Sequence, residues 1–449
     1  MWPRPPGVWI VSLLGVVGCV RYHPAPQPTL DPARAATDYN ARRLDDAVAV
    51  GIDSGWDDAQ LAHAALHFRG EVTLGHALVA EARAGEGTAG ARPGVGVEGS
   101  VTRTARPVET ATSSWSEAIT ATVTLELGGK RGARIARARA ATLAAGLRAD
   151  AAEWELVQEV RGAAVDAVAR DEDAADARQE ETALQRVAGL FRARYVGGQL
   201  SFADVARADA DAQAAAVSLS DADRARTEAR LALARALGVP FDRVDTLRLR
   251  VARTSSCDLV ESGGDSLAIA ALRGRPDLGA ALADYAVAEG DVRLEVARQY
   301  PDLTIGPGLL WDEGIPGWVV NAGLPALLLG RNRGAIREAE AHRATEAVRV
   351  RLLQDSVTAA VDGAIATCRG TRLGGATADS LVSATQRAAD AARAAFDRGE
   401  TGQTEVAVAE LALVRAHRMV HLSNSRRVAA GAGLDRAVGR WIGLTERYP

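Results

Sequence analysis

The sequence has little lysine, few aromatic residues and only a small net charge. Lys130 is its only lysine, Phe, Trp and Tyr make up 4% of the 449 residues, and the formal net charge is −4. Such a small net charge gives no sign of a nucleic-acid partner. So few aromatic side chains argue against ordinary globular cores and favour long helices that pack through small residues.

Residues for chemistry are also missing. No nucleophile, base and orienting group occur in a recognisable arrangement, so the sequence predicts neither an enzyme nor a cofactor. His63/His67 and His417/His421 share helix faces at a spacing of four, which can bind a metal. Neither pair belongs to an HExxH pattern or lies near a cysteine cluster. We therefore interpret them as exposed or packed side chains and predict no metal site.

The longest apolar run near the N-terminus, residues 7–18, is too short to span a bilayer as a helix. It fits the apolar core of a secretory signal peptide, residues 1–18. Val16–Cys19 is similar to a bacterial lipobox, which predicts lipid (palmitate) attachment at Cys19, and Val20 in the next position indicates the outer membrane. The alternative is a plain signal peptide with a chance cysteine. Residues 19–43, which are proline-rich at Tyr22–Pro32, would form the lipid-anchored tether.

Cys257 and Cys368 remain as an even pair of cysteines in an oxidising compartment. A disulfide between them and two unpaired buried thiols are both compatible with the sequence.

Alternation of apolar and polar residues with a period of two predicts β-strands in both halves of the chain. In Trp115–Leu127, Ile119, Val123 and Leu125 alternate with threonines, and Asp302–Trp311 shows a similar alternation. The predicted hairpins span residues 93–127 and 301–328. A Gly/Arg-rich breaker and an alanine-rich helix follow each hairpin.

Two zones without proline, between Pro107 and Pro240 and between Pro325 and Pro449, are rich in alanine and paired charges. One glycine-containing turn in each zone, within Tyr195–Val205 and within Phe396–Val406, divides it into two helices, which predicts two long helical hairpins. The predicted helices span about 131–195 and 202–237 in the first zone, and about 333–397 and 403–443 in the second. At about 1.5 Å per residue, the longest would reach about 100 Å.

The two halves, residues 44–240 and 265–443, repeat each other on either side of a linker, 241–264, and a short tail, 444–449, follows. Trp56-Asp57 matches Pro276-Asp277 at an offset of 220, and Tyr195–Val205 matches Phe396–Val406 at an offset of 201. The change of offset indicates an insertion in the first hairpin region. Ahead of that hairpin we expect a helical unit in two pieces, Leu44–Val50 and Asp57–Arg83, with Asp57 as the N-cap of the second piece, and then a loop over Gly85–Gly96.

Four strands cannot close a barrel, and an open sheet edge cannot face lipid. Three chains would supply twelve strands, an ordinary number for an outer membrane barrel, and rotational symmetry would also close the helices. The predicted fold class is therefore mainly α with a small membrane β part. A duplicated unit supplies long periplasmic helical hairpins and four β-strands, which assemble as a trimeric α-barrel and a twelve-strand β-barrel.

The chain resembles the TolC-like outer membrane efflux proteins. The resemblance is carried by Val16–Cys19, Leu125–Ile135, Arg275–Leu278, Tyr300–Gly308, Leu327–Glu340, Tyr195–Val205 and Phe396–Val406. The wording YPDLTIGPG and GRNRGAIREAEA is most similar to the heavy-metal branch of resistance-nodulation-division pumps. The resemblance implies a homotrimeric outer membrane duct without enzymatic activity that extends into the periplasm. Its implied partners are a periplasmic adaptor (membrane fusion protein), an inner-membrane transporter and outer membrane lipid.

The resemblance also places two tip turns at the periplasmic end, where the adaptor docks and the duct narrows. The matching residues are Gly198, Gln199, Leu200, Ser201, Asp204, Gly399, Glu400, Thr401, Gly402 and Glu405. Glycine permits the left-handed stop of one helix, and Ser or Thr can cap the next. In a trimer, Asp204 and Glu405 would form rings of like charge that constrict the pore. The alternative is a pair of well-capped turns.

The expected function is that of a passive exit duct of a tripartite pump, with heavy-metal cations as cargo from the branch resemblance alone. A duct for drug efflux or type I secretion is the first alternative. A periplasmic coiled-coil scaffold lipoprotein that spans no membrane is the second, and it predicts that the alternating runs are not strands.

Overall fold

The structure is a computed structural model that describes residues 22, 24–25, 30–48, 55–105, 114–250, 256–262, 264–312, 315–324 and 332–439. Cys19, the signal segment and the C-terminal tail lie outside the described residues. The chain divides into two units, Met1–Arg42 and Arg43–Pro449. In the first unit, helix α1, Pro32–Asn40, lies within the segment predicted as a tether and is N-capped by Asp31.

The second unit combines a four-stranded sheet with long helices. Its elements are α2 Asp58–Phe68, α3 Gly70–Gly90, β1 Gly96–Arg103, β2 Trp115–Leu125, α4 Lys130–Val196, α5 Phe202–Leu237, α6 Gly264–Gly274, α7 Pro276–Ala297, β3 Leu303–Asp312, β4 Ile315–Gly323, α8 Arg333–Asp397 and α9 Gln403–Val438. The 67 residues of α4 and the 65 of α8 give helices about 100 Å long. Within the described ranges, no helix is both long and apolar enough to cross a membrane.

The four long helices lie in one row, in the order α5, α4, α9 and α8. The contact between α4 and α9 joins the first hairpin to the second. Small side chains allow close packing along the row, as where Ala174 and Ala177 of α4 meet Ala222 of α5 in a buried cluster. The alanine-rich composition that predicts long helices therefore also makes their close approach possible.

Arg69 divides the helix that the sequence predicts over Asp57–Arg83. Its backbone is extended, and its guanidinium donates to the carbonyl oxygens of Arg235 and Ala236, at 3.3 and 3.0 Å, where α5 ends. The prediction of one helix over these residues is wrong, because the extended backbone at Arg69 ends α2 and its side chain caps the C-terminal end of α5. The predicted loop at residue 85 is also wrong, since α3 continues to Gly90. Asp57 does N-cap α2, through a hydrogen bond from the Gln60 amide.

Arg275 makes the equivalent break between α6 and α7 and donates to the carbonyl oxygen of Ala437 at 3.3 Å, where α9 ends. Each arginine pairs with a carboxylate two residues later, Glu71 or Asp277. Arg69 and Arg275 are thus equivalent residues 206 positions apart. The predicted offset of 220 between the halves is wrong, because it aligns the start of α2 with the start of α7.

The linker between the halves is held on the helices by a bridge and a buried charge. Cys257 and Cys368 form a disulfide, with their Cα atoms 5.2 Å apart, so the pairing that the sequence leaves open is made. Cys368 packs with Val361 and Ile365 of α8 in a buried cluster. At the other end of the linker, Arg230 of α5 is buried and donates to the carbonyl oxygens of the linker backbone.

Candidate functional site

The strands form one antiparallel sheet in the order β1-β2-β3-β4. Registered pairs join residues of equal parity among β1, β2 and β3, as in Val97↔Ala121 and Ile119↔Leu309, and residues of opposite parity between β3 and β4, as in Leu309↔Trp318. Paired residues in a sheet project to the same side, and neighbours along a strand to opposite sides. The sheet therefore has two faces that continue across all four strands, named here for β1–β3: an odd-numbered face, to which β4 contributes its even-numbered residues, and an even-numbered face, to which β4 contributes its odd-numbered residues.

The odd-numbered face is apolar and exposed in the single chain. Trp318 is 86% exposed, Val320 70% and Val97 68%. Apart from Leu310, the even-numbered face carries small and polar residues on its inner strands: Ser116, Ala118, Thr120, Thr122, Thr124, Thr304, Gly306, Gly308 and Asp312. The strands contain 8 to 11 residues, close to the roughly 9–11 that cross a bilayer when tilted. One side suits lipid and the other suits water.

Side chains crowd together on the even-numbered face. Thr120 is buried there, and a Cβ atom added at Gly306 would lie 2.9 Å from the Thr120 methyl group. A Cβ atom at Gly308 would lie 2.8 Å from the Thr120 hydroxyl. Crowding is expected on the concave side of a curved sheet, so the polar face is the concave face.

The first tip turn joins α4 to α5. Gly198 is left-handed, at φ +72°, and the Gln199 amide donates back to the Arg194 carbonyl at 2.9 Å, which closes the end of α4. Ser201 N-caps α5 by accepting from the Asp204 amide at 3.2 Å, and the Asp204 carboxylate accepts from the Ser201 hydroxyl at 2.7 Å. These hydrogen bonds from Ser201 hold the pKa of Asp204 below its usual range.

The second tip turn joins α8 to α9 and has the same stop but a different start. Gly399 is left-handed, at φ +79°, and the Glu400 amide donates to the Ala395 carbonyl at 2.9 Å. Gly402 occupies the N-cap without a side-chain hydrogen bond. Thr401, expected as a cap, has a buried hydroxyl without a partner in the described part of the chain. A salt bridge from Arg398, at 2.8 Å, lowers the pKa of Glu400.

The structure brings the two tips together. Arg194, at the end of α4, donates to Glu405, in the first turn of α9, at 3.0 Å. Hydrogen bonds from the α9 backbone and then from Arg194 lower the pKa of Glu405. The two carboxylates predicted to ring a pore, Asp204 and Glu405, are therefore both favoured in the charged form and already hydrogen-bonded within one chain.

Ion pairs between α4 and α9, here called the seam, extend from the tips toward the sheet. Arg415 and Arg418 of α9 each donate to Glu180 of α4 at 2.8 Å, and Arg418 also donates to Asp173 at 2.9 Å. The remaining members, toward either end, are Arg186–Glu410, His421–Asp176, Arg161–Asp435 and Arg436–Glu155. Sequence analysis missed the seam, since its partners lie more than 200 positions apart and no local spacing announces them.

One member of the histidine pairs takes part in the seam. His421 Nδ1 lies 2.8 Å from the buried Asp176 carboxylate. In the ranges that the structure describes, no group of three or more His, Cys, Asp and Glu side chains is placed to hold a metal ion. The interpretation of His421 as a packed side chain matches this contact.

The model of the outer membrane efflux protein family matches residues 76–239 and 267–440, well over half of the chain. Solved structures with a similar fold include VceC of Vibrio cholerae, an outer membrane protein (18% identity, TM-score 0.65, 85% of this chain and 96% of that one). CusC is similar at 18% identity and TM-score 0.65 over 93% of this chain and 99% of that one. The CmeC outer membrane channel of Campylobacter jejuni is similar at 14% and 0.64, over 85% of each chain.

At such identities these structures show a shared fold and nothing finer. No curated protein matches the sequence. The family consists of outer membrane ducts without enzymatic activity. The two-faced sheet, the row of long helices and the matched residues together lead to one conclusion: this chain belongs to the outer membrane efflux protein family.

Proposed function

We propose that three copies of the chain close into the exit duct of a tripartite efflux pump, with a twelve-strand barrel in the outer membrane and a helical barrel in the periplasm. The observation that carries this proposal is the incomplete sheet. In the part of the chain that the structure describes, β1 and β4 are sheet edges that pair with no further strand, and their apolar residues are exposed. An unpaired edge is not tolerated in lipid, so β4 of one copy must pair with β1 of the next.

The row of helices is open in the same way. Its inner contact, the seam, is rich in ion pairs, whereas the flanking helices leave apolar side chains uncovered. Val348 and Leu352 of α8 and Val217 of α5 are exposed in the single chain. Closure by rotation would place α8 of one copy against α5 of the next and bury these residues.

The remaining parts of the proposal concern anchoring and partners. Cys19 carries the lipid, and the tip residues 198–204 and 399–405 meet the periplasmic adaptor of a resistance-nodulation-division pump. The Asp204 and Glu405 side chains narrow the duct at that end. The left-handed glycines and the Arg194–Glu405 pair support this assignment, because they fix both turns side by side as one docking surface.

Heavy-metal cations are the proposed cargo. This assignment depends on the resemblance of Tyr300–Gly308 and Leu327–Glu340 to the metal branch of the family. A strain that lacks the protein should lose at least fourfold in resistance to copper, silver or zinc salts, with resistance to hydrophobic drugs unchanged. The reverse pattern would assign the duct to drug efflux, and a defect only in export of a protein would assign it to secretion.

Closure is tested by cross-linking the two edge strands. Ser100 of β1 is replaced by Cys together with Gly317, Val319 or Asn321 of β4, one pair at a time, because all four lie on the polar face. At least one pair should give a disulfide-linked trimer in outer membranes. Thr122 of the inner strand β2 replaces Ser100 in the control, which should remain monomeric. Recovery of monomers alone from every pair, or of a protein that washes off the membrane, would favour the scaffold interpretation.

A further inference from the structure

We propose that the polar face of the sheet is a cation-preferring wall whose sign is set by Glu98 and Asp312. The inference rests on the proposed function, since it requires the even-numbered face to surround water. It assigns to the membrane part of the duct a selectivity that does not depend on the tips or on the upstream pump.

The strands contain few charged residues, and those on the polar face are all negative. The four strands contain four charged residues: Glu98 and Arg103 in β1, Glu117 in β2 and Asp312 in β3. By register, Glu98 and Asp312 lie on the polar face, whereas Arg103 and Glu117 lie on the apolar face. The polar face of the strands therefore carries two carboxylates and no cation.

Neither carboxylate is neutralised by a neighbour in the described part of the chain. No hydrogen bond or ion pair reaches Glu98, and Asp312 accepts a hydrogen bond at 2.6 Å from the uncharged hydroxyl of Ser116. Arg103, the nearest cation of the strands, stacks its guanidinium over the Trp115 ring at 5.5 Å, on the apolar side. Both negative charges are left to act on solutes.

The two carboxylates lie at different depths. Glu98 pairs with Thr120 of β2, and Asp312 accepts a hydrogen bond from Ser116, four residues before Thr120. Roughly 14 Å of strand therefore separates the two levels. Three copies would place three carboxylates at each level. Fixed charge of one sign in a low-dielectric channel concentrates counter-ions and repels co-ions, so cations should enter this wall more readily than anions.

The test uses a cysteine reporter at Thr122, diagonal to Glu98 on the polar face, and a matched one at Val123, its neighbour on the apolar face. Cys257 and Cys368 are paired with each other and leave few background thiols. Trimers in intact outer membranes are treated with cationic and anionic methanethiosulfonates of similar size. Their rate ratio is divided by the ratio for a small free thiol in the same buffer.

We expect Thr122→Cys to react about tenfold faster with the cationic reagent, the low end of the enrichment in a charged cleft. Adding Glu98→Gln and Asp312→Asn should bring the ratio close to that of the free thiol. Adding Glu117→Gln, which removes a carboxylate from the other face, should leave the ratio unchanged.

Two failures can be told apart. A Thr122→Cys ratio equal to that of the free thiol, or one that Glu98→Gln with Asp312→Asn does not lower, would overturn the cation-preferring wall and leave the duct intact. Reaction of Val123→Cys with the aqueous reagents in place of Thr122→Cys would mean that the odd-numbered face surrounds water. That result would overturn both the wall and the proposed duct geometry.

Discussion

Replacing Arg230 by Met should release the first part of the linker from the helices. Arg230 lies on α5 with its side chain 7% exposed, and it forms an ion pair with Asp171 of α4. It also donates to the carbonyl oxygens of Val244 and Leu247, at 2.5 and 3.1 Å. A methionine of similar length fills the space but supplies no donor.

The free-energy cost of Arg230→Met follows from the interactions that each of its partners retains after the substitution. Asp171 retains a second arginine, Arg226, at 3.0 Å, and the Val244 carbonyl retains the Leu247 amide. The loss therefore consists of charge-assisted hydrogen bonds, about 1.5–3 kcal/mol, and a Leu247 carbonyl left without its donor, about 1–3 kcal/mol. The sum is about 2.5–6 kcal/mol, and its low end corresponds to about a hundredfold in a local opening equilibrium.

Amide hydrogen exchange measures that opening. The Leu247 and Arg250 amides bond to the carbonyls of Val244 and Trp56, and their protection should fall about a hundredfold in Arg230→Met. Arg226→Met is the matched control, one turn away on α5, with a shared partner and a side chain 34% exposed. Arg226 also contacts the linker, through a longer hydrogen bond to the Asp245 carbonyl at 3.3 Å and a pair with the Asp245 carboxylate at 3.6 Å. Because these contacts are partly exposed and long, its effect should be smaller, at most about fivefold. Equal effects of the two substitutions would refute the argument from burial.

Three further changes have expected outcomes. Burial raises the pKa of Glu180, but its two arginine partners outweigh burial and hold the pKa below the usual range. Its stabilising contribution is therefore complete above pH ~4.3 and is lost as the pH falls through the lowered pKa. Amide hydrogen exchange in α4 and α9 should become faster over that pH range. Replacing Cys257 and Cys368 by Ser removes a cross-link across 111 residues and should lower unfolding stability by up to about 4 kcal/mol in thermal melts, whereas an unchanged melting temperature would contradict this. Gly198→Ala places a Cβ at φ +72° and should cost about 1–2 kcal/mol of local stability, while Gly197→Ala, at φ −77°, should be tolerated.

Elements with a strong period could be predicted from the sequence. Alternation in Trp115–Leu127 locates β2, and the glycines at 197–198 locate the end of α4 within a residue or two. These signals are local, since each depends on the spacing of neighbours along one element. The same locality explains the error at Arg69, where the apolar period continues across the break. The reason for the break is a contact with α5, 166 positions away.

Features of the candidate site that depend on distant pairing could not be predicted. The parity of the register decides that Glu98 and Asp312 share a face and that Glu117 does not, and register follows from pairing of strands almost 200 residues apart. The disulfide was one of two open alternatives for a similar reason, because the number of cysteines does not show how close Cys257 and Cys368 lie in the fold. The positions of the two interhelical turns could be predicted from the sequence, but the hydrogen bond between the two hairpins, from Arg194 to Glu405, could not.

The predicted duplication gives a physical reason for the difference between the two kinds of helix contact. At the predicted offset of 201, α8 corresponds to α4 and α5 to α9, so in the proposed trimer the seam within a chain would correspond to the contact of α8 with α5 of the next copy. Glu180 corresponds to Leu381 and Arg418 to Val217. Both replacements are apolar and exposed in the single chain. Ion pairs join the two hairpins of one chain without a partner copy, whereas in the proposed trimer the equivalent contact between copies would gain from hydrophobic burial on association. Equivalent surfaces of the two halves would thus serve the fold of one chain in one place and assembly in the other.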